Sequence, residues 1–502
     1  MNHTKTDWRA AGGFLLLSIF LMTFCSMASF LFPLHTWVDQ NCFLTVGRAM
    51  VDGKVLYRDI YEQKGPLLYA LHALAALVDK NGFFGVYLIE ILNFTWLLYW
   101  LFKLASLFRG RRFSLLAACL TGLVIATTYC FSRGDNAEEL CLPMLAVGLY
   151  DLLRYTNGAD AVPSRWIWLR NGLLAGLILW IKFTLLGFFI AWVAIVFVTA
   201  CTRRQWKAAF AGCCIFLGGM LLTMLPWLLY FAYHGALYDF FYVYFYSNIF
   251  LYSKSTSLLI RVGGVYVQDI ALNPIMTALS WTGVSLFAYT RRWLKTIAAK
   301  IALPVCYFGL YFFAFVGGTR YRYYLLIMTV FALFGMLALL DWLQCKFLPK
   351  IKRRRLLAGI GAVLYLAAAV FCSNCRYYYN KPDSYYPQVQ FAQRMREETD
   401  TPTLLNYGFL DGGFYLMADA PLPDTRFFCR LNIPRANLPA MYEEQDGIIE
   451  HKGVEFVVVR YKMKHEKLKD KEPCAALFTN YKKIADAEEA HDGYHYELYQ
   501  RT

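Results

Sequence analysis

The sequence predicts a mainly α-helical polytopic membrane protein that carries a small α/β domain at its C-terminal end. Of its 502 residues, 58% are hydrophobic and 18% are aromatic, which is too apolar a composition for a soluble protein. Uncharged windows long enough to cross a bilayer recur as far as Cys375, and we expect about eleven transmembrane helices from them. Beyond Cys375 such windows cease and charged residues become frequent, which predicts an extracytoplasmic domain over residues 376–502.

Basic loops between the hydrophobic windows predict the orientation of the chain in the cell membrane. Lysine and arginine mark cytosolic loops, so we expect a cytosolic N-terminus and an external C-terminal domain. The window at 171–199 has basic residues at both ends, which predicts two short helices that meet near Lys182 as a broken hairpin. The windows are 11–34, 83–108, 113–130, 137–153, 171–199, 208–232, 270–290, 301–318, 323–342 and 356–374.

The net charge of +15 has the same topological explanation. The basic residues cluster in short loops between windows, as the positive-inside rule requires, whereas the acidic residues gather in the C-terminal part. A basic surface for nucleic acid would need a continuous stripe or patch. We therefore expect the lipid bilayer, and no nucleic acid, as a partner.

The C-terminal part shows the patterns of a small α/β domain. Two short β-branched or apolar runs and one alternating run predict strands, and two amphipathic stretches predict helices. The predicted strands are Thr403–Tyr407, Glu455–Arg460 and an edge strand at His495–Tyr499, and the predicted helices are Gln388–Glu398 and Pro473–Tyr481.

A polar loop at residues 35–82 follows the first window and has the composition of a site. About 24 uncharged residues precede it, so its acidic and basic side chains emerge on the far side of the membrane from the cytosol. Asp39 is the first carboxylate beyond the window, and Arg58, Asp59 and Lys64 follow among aromatic residues.

Ionisable residues elsewhere in the helical part are also candidates. Arg320 and Arg322 lie at the outer end of a span, where arginine forks suit a phosphate or serve as interface anchors. Glu90 and Lys182 lie within hydrophobic windows, where charge is costly, so cavity or partner roles are expected and the two could pair with each other.

Six short motifs follow one another in the first 345 residues. They are Asp39, Gly53–Asp59, Lys64–Tyr69, Arg133–Glu139, Gly176–Thr184 and Arg320–Leu325. Their order resembles that of the GT-C membrane glycosyltransferases, and especially family 39, the protein O-mannosyltransferase and aminoarabinose-transferase group. The resemblance is to the first external loop and three later landmarks, and it covers about residues 1–345. This chain has Asp39-Gln40 where many relatives have Asp-Glu.

The resemblance implies a GT-C like transmembrane catalytic domain at residues 1–375 and a glycosyltransferase activity. A sugar would move from a polyprenyl-phosphate donor to a glycan, lipid or protein acceptor on the outer face, with inversion. Asp39 would be the general base, because an acceptor hydroxyl must lose its proton as it attacks. No cofactor is implied with certainty, and whether a divalent metal takes part stays open. The implied substrate-binding residues are Arg58, Asp59, Lys64, Arg133, Glu138, Lys182, Arg320, Arg322 and Tyr323.

Each of these roles has a structural alternative. Asp39 would cap a helix that begins near Asn41, and Asp59 would only pair with Arg58. Lys64 would be an interface lysine, and Glu138 would stabilise the dipole of the helix it begins. For the whole protein the alternatives are a flippase or polymerase of lipid-linked glycans, or an inactive scaffold. The large first loop and the external C-terminal domain favour the transferase over a compact transporter.

Overall fold

The computed structural model describes residues 7–158, 160, 162–252, 257–317, 321–346, 354–463 and 473–502. The described chain is mainly helical and forms two compact units. We call Met1–Ser26, Leu88–Trp227 and Lys254–Arg376 the first unit. The second unit comprises Met27–Tyr87, Leu228–Ser253 and Tyr377–Thr502, so the first polar loop belongs to the same unit as the C-terminal segment.

The helices in chain order are α1 (Trp8–Cys25), α2 (Val38–Val51), α3 (Pro66–Val78), α4 (Phe84–Ala105), α5 (Arg111–Thr127), α6 (Ala137–Thr156), α7 (Arg165–Lys182), α8 (Gly187–Thr202), α9 (Trp206–Tyr233), α10 (Leu237–Phe241), α11 (Leu258–Leu272), α12 (Pro274–Tyr289), α13 (Ile297–Val316), α14 (Ala332–Lys346), α15 (Arg354–Phe371), α16 (Pro387–Glu398), α17 (Phe414–Met417), α18 (Pro439–Glu450) and α19 (Ala476–Asn480). Several 3₁₀ helices and the π-helix Tyr242–Leu251 lie between them in the described residues. The strands are β1 (Leu404–Tyr407), β2 (Phe456–Lys462), β3 (Tyr481–Glu489) and β4 (Tyr494–Arg501).

The chain is a polytopic membrane protein. Six helical stretches in the described residues are long and apolar enough to cross a bilayer, and a bent pair makes a seventh. The predicted count of about eleven is not confirmed, because several windows fold as helices that are shorter or more polar than a complete span. For example, α5 has 17 residues and α6 carries Glu138, Glu139 and Asp151. The six stretches are Trp8–Cys25, Phe84–Ala105, Arg165–Thr202, Trp206–Tyr233, Ile297–Val316 and Arg322–Lys346.

The prediction that two helices meet near Lys182 is confirmed, but the expected hairpin does not form in the described residues. Helix α7 ends at Lys182, and a 3₁₀ turn of four residues leads into α8. The whole stretch Arg165–Thr202 continues as one apolar span of 38 residues. A strong bend occurs instead between α11 and α12, which meet at 114° inside the window predicted at 270–290. Pro274 has no N–H to continue the helix, which explains the break.

The first predicted span, 11–34, is helical only as far as Cys25. Ser26 takes an extended backbone, and its hydroxyl donates a hydrogen bond to the Glu90 carboxylate. Aromatic packing supports the helical part of the first unit further along. The rings of Trp168 and Trp192 meet edge to face at 5.4 Å, and Trp192 stacks on Phe216 at 6.1 Å.

The C-terminal segment of the second unit contains one mixed sheet with strand order β1-β2-β4-β3. Strands β1 and β2 are parallel, with α18 in the connection between them, and the other two pairs are antiparallel. One core cluster joins this sheet to its helices, and it includes Leu405, Val457, Ile449, Leu477 and Tyr499. Burial of these apolar side chains holds α18 and α19 against the sheet.

The predicted helix Gln388–Glu398 and the predicted strands Thr403–Tyr407 and Glu455–Arg460 are confirmed within two residues at each end. Two other expectations for this segment are wrong. The run His495–Tyr499 is not an edge strand, because β4 pairs with β2 on one side and β3 on the other. The helix expected over Pro473–Tyr481 is limited to Ala476–Asn480, and Tyr481 already begins β3.

Candidate active site

Asp39 lies in the first turn of α2, and it is half-buried. The helix begins at Val38, after Trp37 as N-cap, three residues earlier than the sequence suggested. Asp39 is therefore not the N-cap, and the capping alternative is wrong. Its side chain lies at the N-terminal end of the helix, where the dipole favours an acidic residue.

Glu62 is a buried carboxyl group in the same loop. Its side chain accepts hydrogen bonds from the hydroxyl of Tyr69 and from the backbone N–H of Lys64, the latter at 3.1 Å. Burial raises the pKa of Glu62, the positive charge of Lys64 lowers it, and the negative charge of Asp39 raises it further. The second unit thus brings both Asp39 and Lys64 within electrostatic range of the Glu62 carboxyl group.

Sequence reasoning missed Glu62 as a site residue. The available signal was a further acid in the loop, two residues before Lys64. Nothing in the local pattern showed that this acid would be only 2% exposed. A buried carboxyl with a raised pKa is typical of functional sites.

The backbone around Lys64 is fixed by a hydrogen bond and by the start of a helix. The Tyr57 hydroxyl donates to the Lys64 carbonyl at 2.7 Å, and Pro66 begins α3 two residues later. The ammonium group lies 5.9 Å from the centroid of the Phe43 ring. A cation is therefore held beside an aromatic face in the same loop as Asp39.

Arg58 and Asp59 form a forked ion pair with each other. Two guanidinium nitrogens of Arg58 donate to the two carboxylate oxygens of Asp59 at 2.8 and 2.9 Å. The hydrogen bond from Arg58 is the main reason that the pKa of Asp59 is lowered. The structure thus shows the Arg58–Asp59 ion pair, which was the alternative to a binding role for Asp59.

In the first unit, Arg133 lies in a loop with an uncommon backbone. Ser132, Gly134 and Asp135 have φ values of 60°, 86° and 53°, and Arg133 itself is buried. The Glu90 carboxylate accepts from the Ser26 hydroxyl at 2.6 Å and from the Asp135 N–H at 2.7 Å. Left-handed backbone conformations persist where surrounding contacts impose them. The carboxylate of Glu90 supplies one such contact.

Lys182 forms an ion pair with Glu138, which lies in the first turn of α6. The ammonium group is also 3.4 Å from the centroid of the Tyr324 ring and 5.8 Å from that of Tyr323. The expected pair of Glu90 with Lys182 is wrong. Glu90 is held by Ser26 and the Asp135 N–H, whereas the end of α7 meets the start of α6.

Arg322 begins the 3₁₀ helix Arg322–Phe331 and reaches the same loop. Its guanidinium donates to the Ser132 hydroxyl at 2.8 Å and lies 4.9 Å from the centroid of the Tyr129 ring. The first unit therefore brings together Glu138, Lys182 and Tyr323, and joins Arg322 to the loop of Arg133. Arg320 lies outside the described residues.

The described residues include no group of three or more histidine, cysteine, aspartate or glutamate side chains arranged to hold a metal ion. Mg²⁺ is often held by only one or two carboxylates together with the phosphates of a substrate, so a site of that kind needs fewer protein ligands.

Comparison with known proteins defines the class of this fold. No protein-family model matches the chain, and no curated protein matches it significantly. The solved structure of ArnT from Cupriavidus metallidurans bound to undecaprenyl phosphate is similar, with a TM-score of 0.62 and 12% identity over 99% of this chain and 98% of that one. The apo structure of the same protein gives a TM-score of 0.59 at 12% identity, over 97% and 98%.

A second kind of protein is also similar. The Archaeoglobus fulgidus oligosaccharyltransferase, solved in complex with Zn and sulfate, gives a TM-score of 0.51 at 13% identity over 96% of this chain and 72% of that one. These likenesses confirm the predicted resemblance: the chain has the GT-C fold of membrane glycosyltransferases. At these identities the likeness concerns the fold, and activity must be argued from the site.

Proposed function

We propose that this protein is a glycosyltransferase that moves a sugar from a polyprenyl-phosphate donor to an acceptor on the outer face of the cell membrane. The observation that carries the proposal is the fold shared over 99% of the chain with ArnT, which was solved with undecaprenyl phosphate. In this proposal the N-terminus is cytosolic and residues 376–502 are extracytoplasmic, as the basic loops predict. The acceptor is a cell-surface glycan, a lipid or a protein.

Asp39 acts as the general base. It takes the proton of the acceptor hydroxyl while the hydroxyl oxygen bonds to the anomeric carbon of the sugar. The bond from that carbon to the phosphate oxygen breaks, and polyprenyl phosphate leaves. One displacement from the opposite face inverts the anomeric centre. The half-buried position of Asp39 in the first turn of α2, beyond the first span, supports this role because an acceptor can still reach the carboxylate.

Lys64 stabilises the negative charge that develops on the leaving phosphate. A cation held in a partly desolvated place is most effective where charge appears in the transition state. Lys64 belongs to the same unit as Asp39, and its backbone is fixed by Tyr57. We assign donor binding also to Arg58, Asp59, Arg133, Glu138, Lys182, Arg320, Arg322 and Tyr323.

The experiment begins with the lipids of cells that lack the protein. Mass analysis should reveal an accumulated polyprenyl-phosphate monosaccharide, which names the donor. This lipid is then given to the purified protein in detergent with an envelope extract as acceptor. Release of polyprenyl phosphate, together with a glycan that gains the sugar, is expected from the wild-type protein and not from Asp39→Asn.

A flippase or polymerase of lipid-linked glycans is the second candidate. The 114° bend between α11 and α12 favours it, because broken helices are common in transporters. The same experiment separates the candidates. A flippase consumes no donor in detergent, where there are no two sides, and a polymerase lengthens the lipid-linked glycan. Either result would replace the transferase proposal.

A further inference from the structure

One face of α2 is bound by the segment Asp411–Ala420 of the same unit. The residues on this face are Asn41, Thr45 and Arg48, which are spaced by four and three positions and so lie on one side of the helix. All three side chains are buried. This face is polar, and its buried groups must therefore be satisfied by directed hydrogen bonds.

Asp411 is the centre of these contacts. Its fully buried carboxylate accepts from the Thr45 hydroxyl at 2.5 Å, from the Asn406 side chain at 2.8 Å and from the Gly413 N–H at 2.9 Å. The last two donors belong to the C-terminal segment, and the first belongs to α2. Donors of this kind offset the cost of burying the carboxylate. One carboxylate thus joins two parts of the chain that are 366 positions apart.

Arg48 makes a second connection one turn later. Its guanidinium donates to the backbone carbonyls of Tyr415 and Ala420 at 3.1 and 2.5 Å, and to the Asn81 side chain at 2.9 Å. The fork shape of this group requires each acceptor to lie in a set direction. Together with Thr45 it sets both the rotation of α2 about its axis and its position along that axis.

We propose that the segment Asp411–Ala420 holds α2 in the orientation that Asp39 requires, with Asp411 as the positioning residue that acts through Thr45. This inference rests on the proposed function, because it assigns a purpose to the orientation of Asp39. Asp39 precedes Thr45 by six residues, or about 9 Å along the helix. A small rotation of α2 would therefore move the base away from the acceptor hydroxyl. Misplacement of about 1 Å can cost a reaction 100-fold.

The test compares two substitutions at one position. Thr45→Val keeps the shape of the side chain but removes the hydrogen bond to Asp411, whereas Thr45→Ser keeps the hydroxyl. Thr425→Val is the matched control, because it makes the same change at an exposed hydrogen bond of the same unit, in which the Thr425 hydroxyl donates to the Glu444 carboxylate at 2.6 Å. The measurements are sugar transfer by the purified full chain and hydrogen exchange of α2, with β1 and β2 as internal references.

Thr45→Val should lower kcat by about 10-fold to 100-fold and leave the donor KM within about twofold, because binding residues are untouched. Exchange in α2 should become at least about fivefold faster, while exchange in β1 and β2 stays unchanged. Thr45→Ser and Thr425→Val should resemble the wild type in both measurements.

The inference is overturned if Thr45→Val leaves kcat and α2 exchange at their wild-type values, or if kcat falls equally in Thr45→Ser. If the wild-type protein transfers no sugar, the proposed function fails, but the exchange measurement still reports whether Asp411 holds α2. Should Thr45→Val unfold, Thr45→Ala supplies the same comparison, since it also removes the hydroxyl that donates to Asp411.

Discussion

The ammonium group of Lys182 pairs with the carboxylate of Glu138, so the last residue of α7 is tied to the first turn of α6. Glu138 is 1% exposed, and a carboxylate in that position is costly without a cation. The pair therefore explains how two charges are tolerated within helices of a membrane protein.

Lys182→Met should lower the free energy of unfolding by about 3 to 5 kcal/mol, because it leaves the Glu138 carboxylate buried and uncompensated. The double variant Lys182→Met with Glu138→Gln should recover most of the loss. Thermal unfolding in detergent measures both. Equal stability of the single variant and the wild type would mean that the Lys182–Glu138 pair contributes nothing to the free energy of unfolding.

Asp39→Asn should lower sugar transfer by about 100-fold to 10,000-fold, because the amide cannot accept the proton of the acceptor hydroxyl. Expression and donor binding should persist. Asp52→Asn is the control, since this exposed carboxylate at the other end of α2 pairs with Lys80 at 2.8 Å. Normal transfer by the Asp39→Asn variant would move the role of base to Glu62.

Lys64→Ala should weaken the use of the donor, because one charge-assisted contact to phosphate is lost. The expected cost in kcat/KM is about 1.5 to 3 kcal/mol, or roughly 10-fold to 150-fold. Kinetics with the isolated lipid donor measure it. Lys80→Ala removes an exposed lysine of the same unit and should have no effect, and the assignment fails if both variants behave alike.

Glu62 should make the stability of the protein depend on pH. Burial raises its pKa in the folded state above the ordinary value of 4.5, so the folded state holds its proton more tightly than the unfolded chain. Stability should therefore fall as pH rises from 4.5 through the folded pKa. Glu62→Gln, which stays neutral, should remove this decline. Thermal unfolding from acidic to neutral pH will reveal whether the two profiles differ.

Gly134→Ala should destabilise the loop that holds Glu90. The φ of Gly134 is +86°, and an added Cβ would collide with the Ser26 hydroxyl and the Glu90 carboxylate. We expect a loss of about 1 to 3 kcal/mol from backbone strain, with displacement of Glu90 in addition. Gly53 has a similar φ of +93°, and a Cβ added there would meet open space. Thermal unfolding of Gly53→Ala therefore measures the backbone strain alone. Equal losses in both variants would show that the contacts at Gly134 are unimportant.

The sequence alone was sufficient for the membrane class and for most helices. Long uncharged windows predict spans because a bilayer excludes charge, and α4, α9 and α13 follow this rule. The order of short motifs also indicated the GT-C fold, which the solved structures confirm. Strands β1 and β2 were recognisable because each contains a short, uninterrupted run of apolar residues.

Partners across long stretches of sequence were decided only by the tertiary structure. No local pattern shows that Lys182 meets Glu138 and not Glu90, or that β4 has a neighbour on each side. The same holds for Glu62, whose pKa is raised chiefly because the fold buries it.

The first loop illustrates the difference between what the sequence determines and what the tertiary structure determines. Its acids and bases are visible in the sequence, because polar residues beside a hydrophobic window stand out. The bond from Thr45 to Asp411 is not visible, since a contact between residues 366 positions apart depends on how the whole chain packs. Composition and periodicity determine which segments enter a membrane, whereas the burial and pairing of individual charges are set by the folded chain.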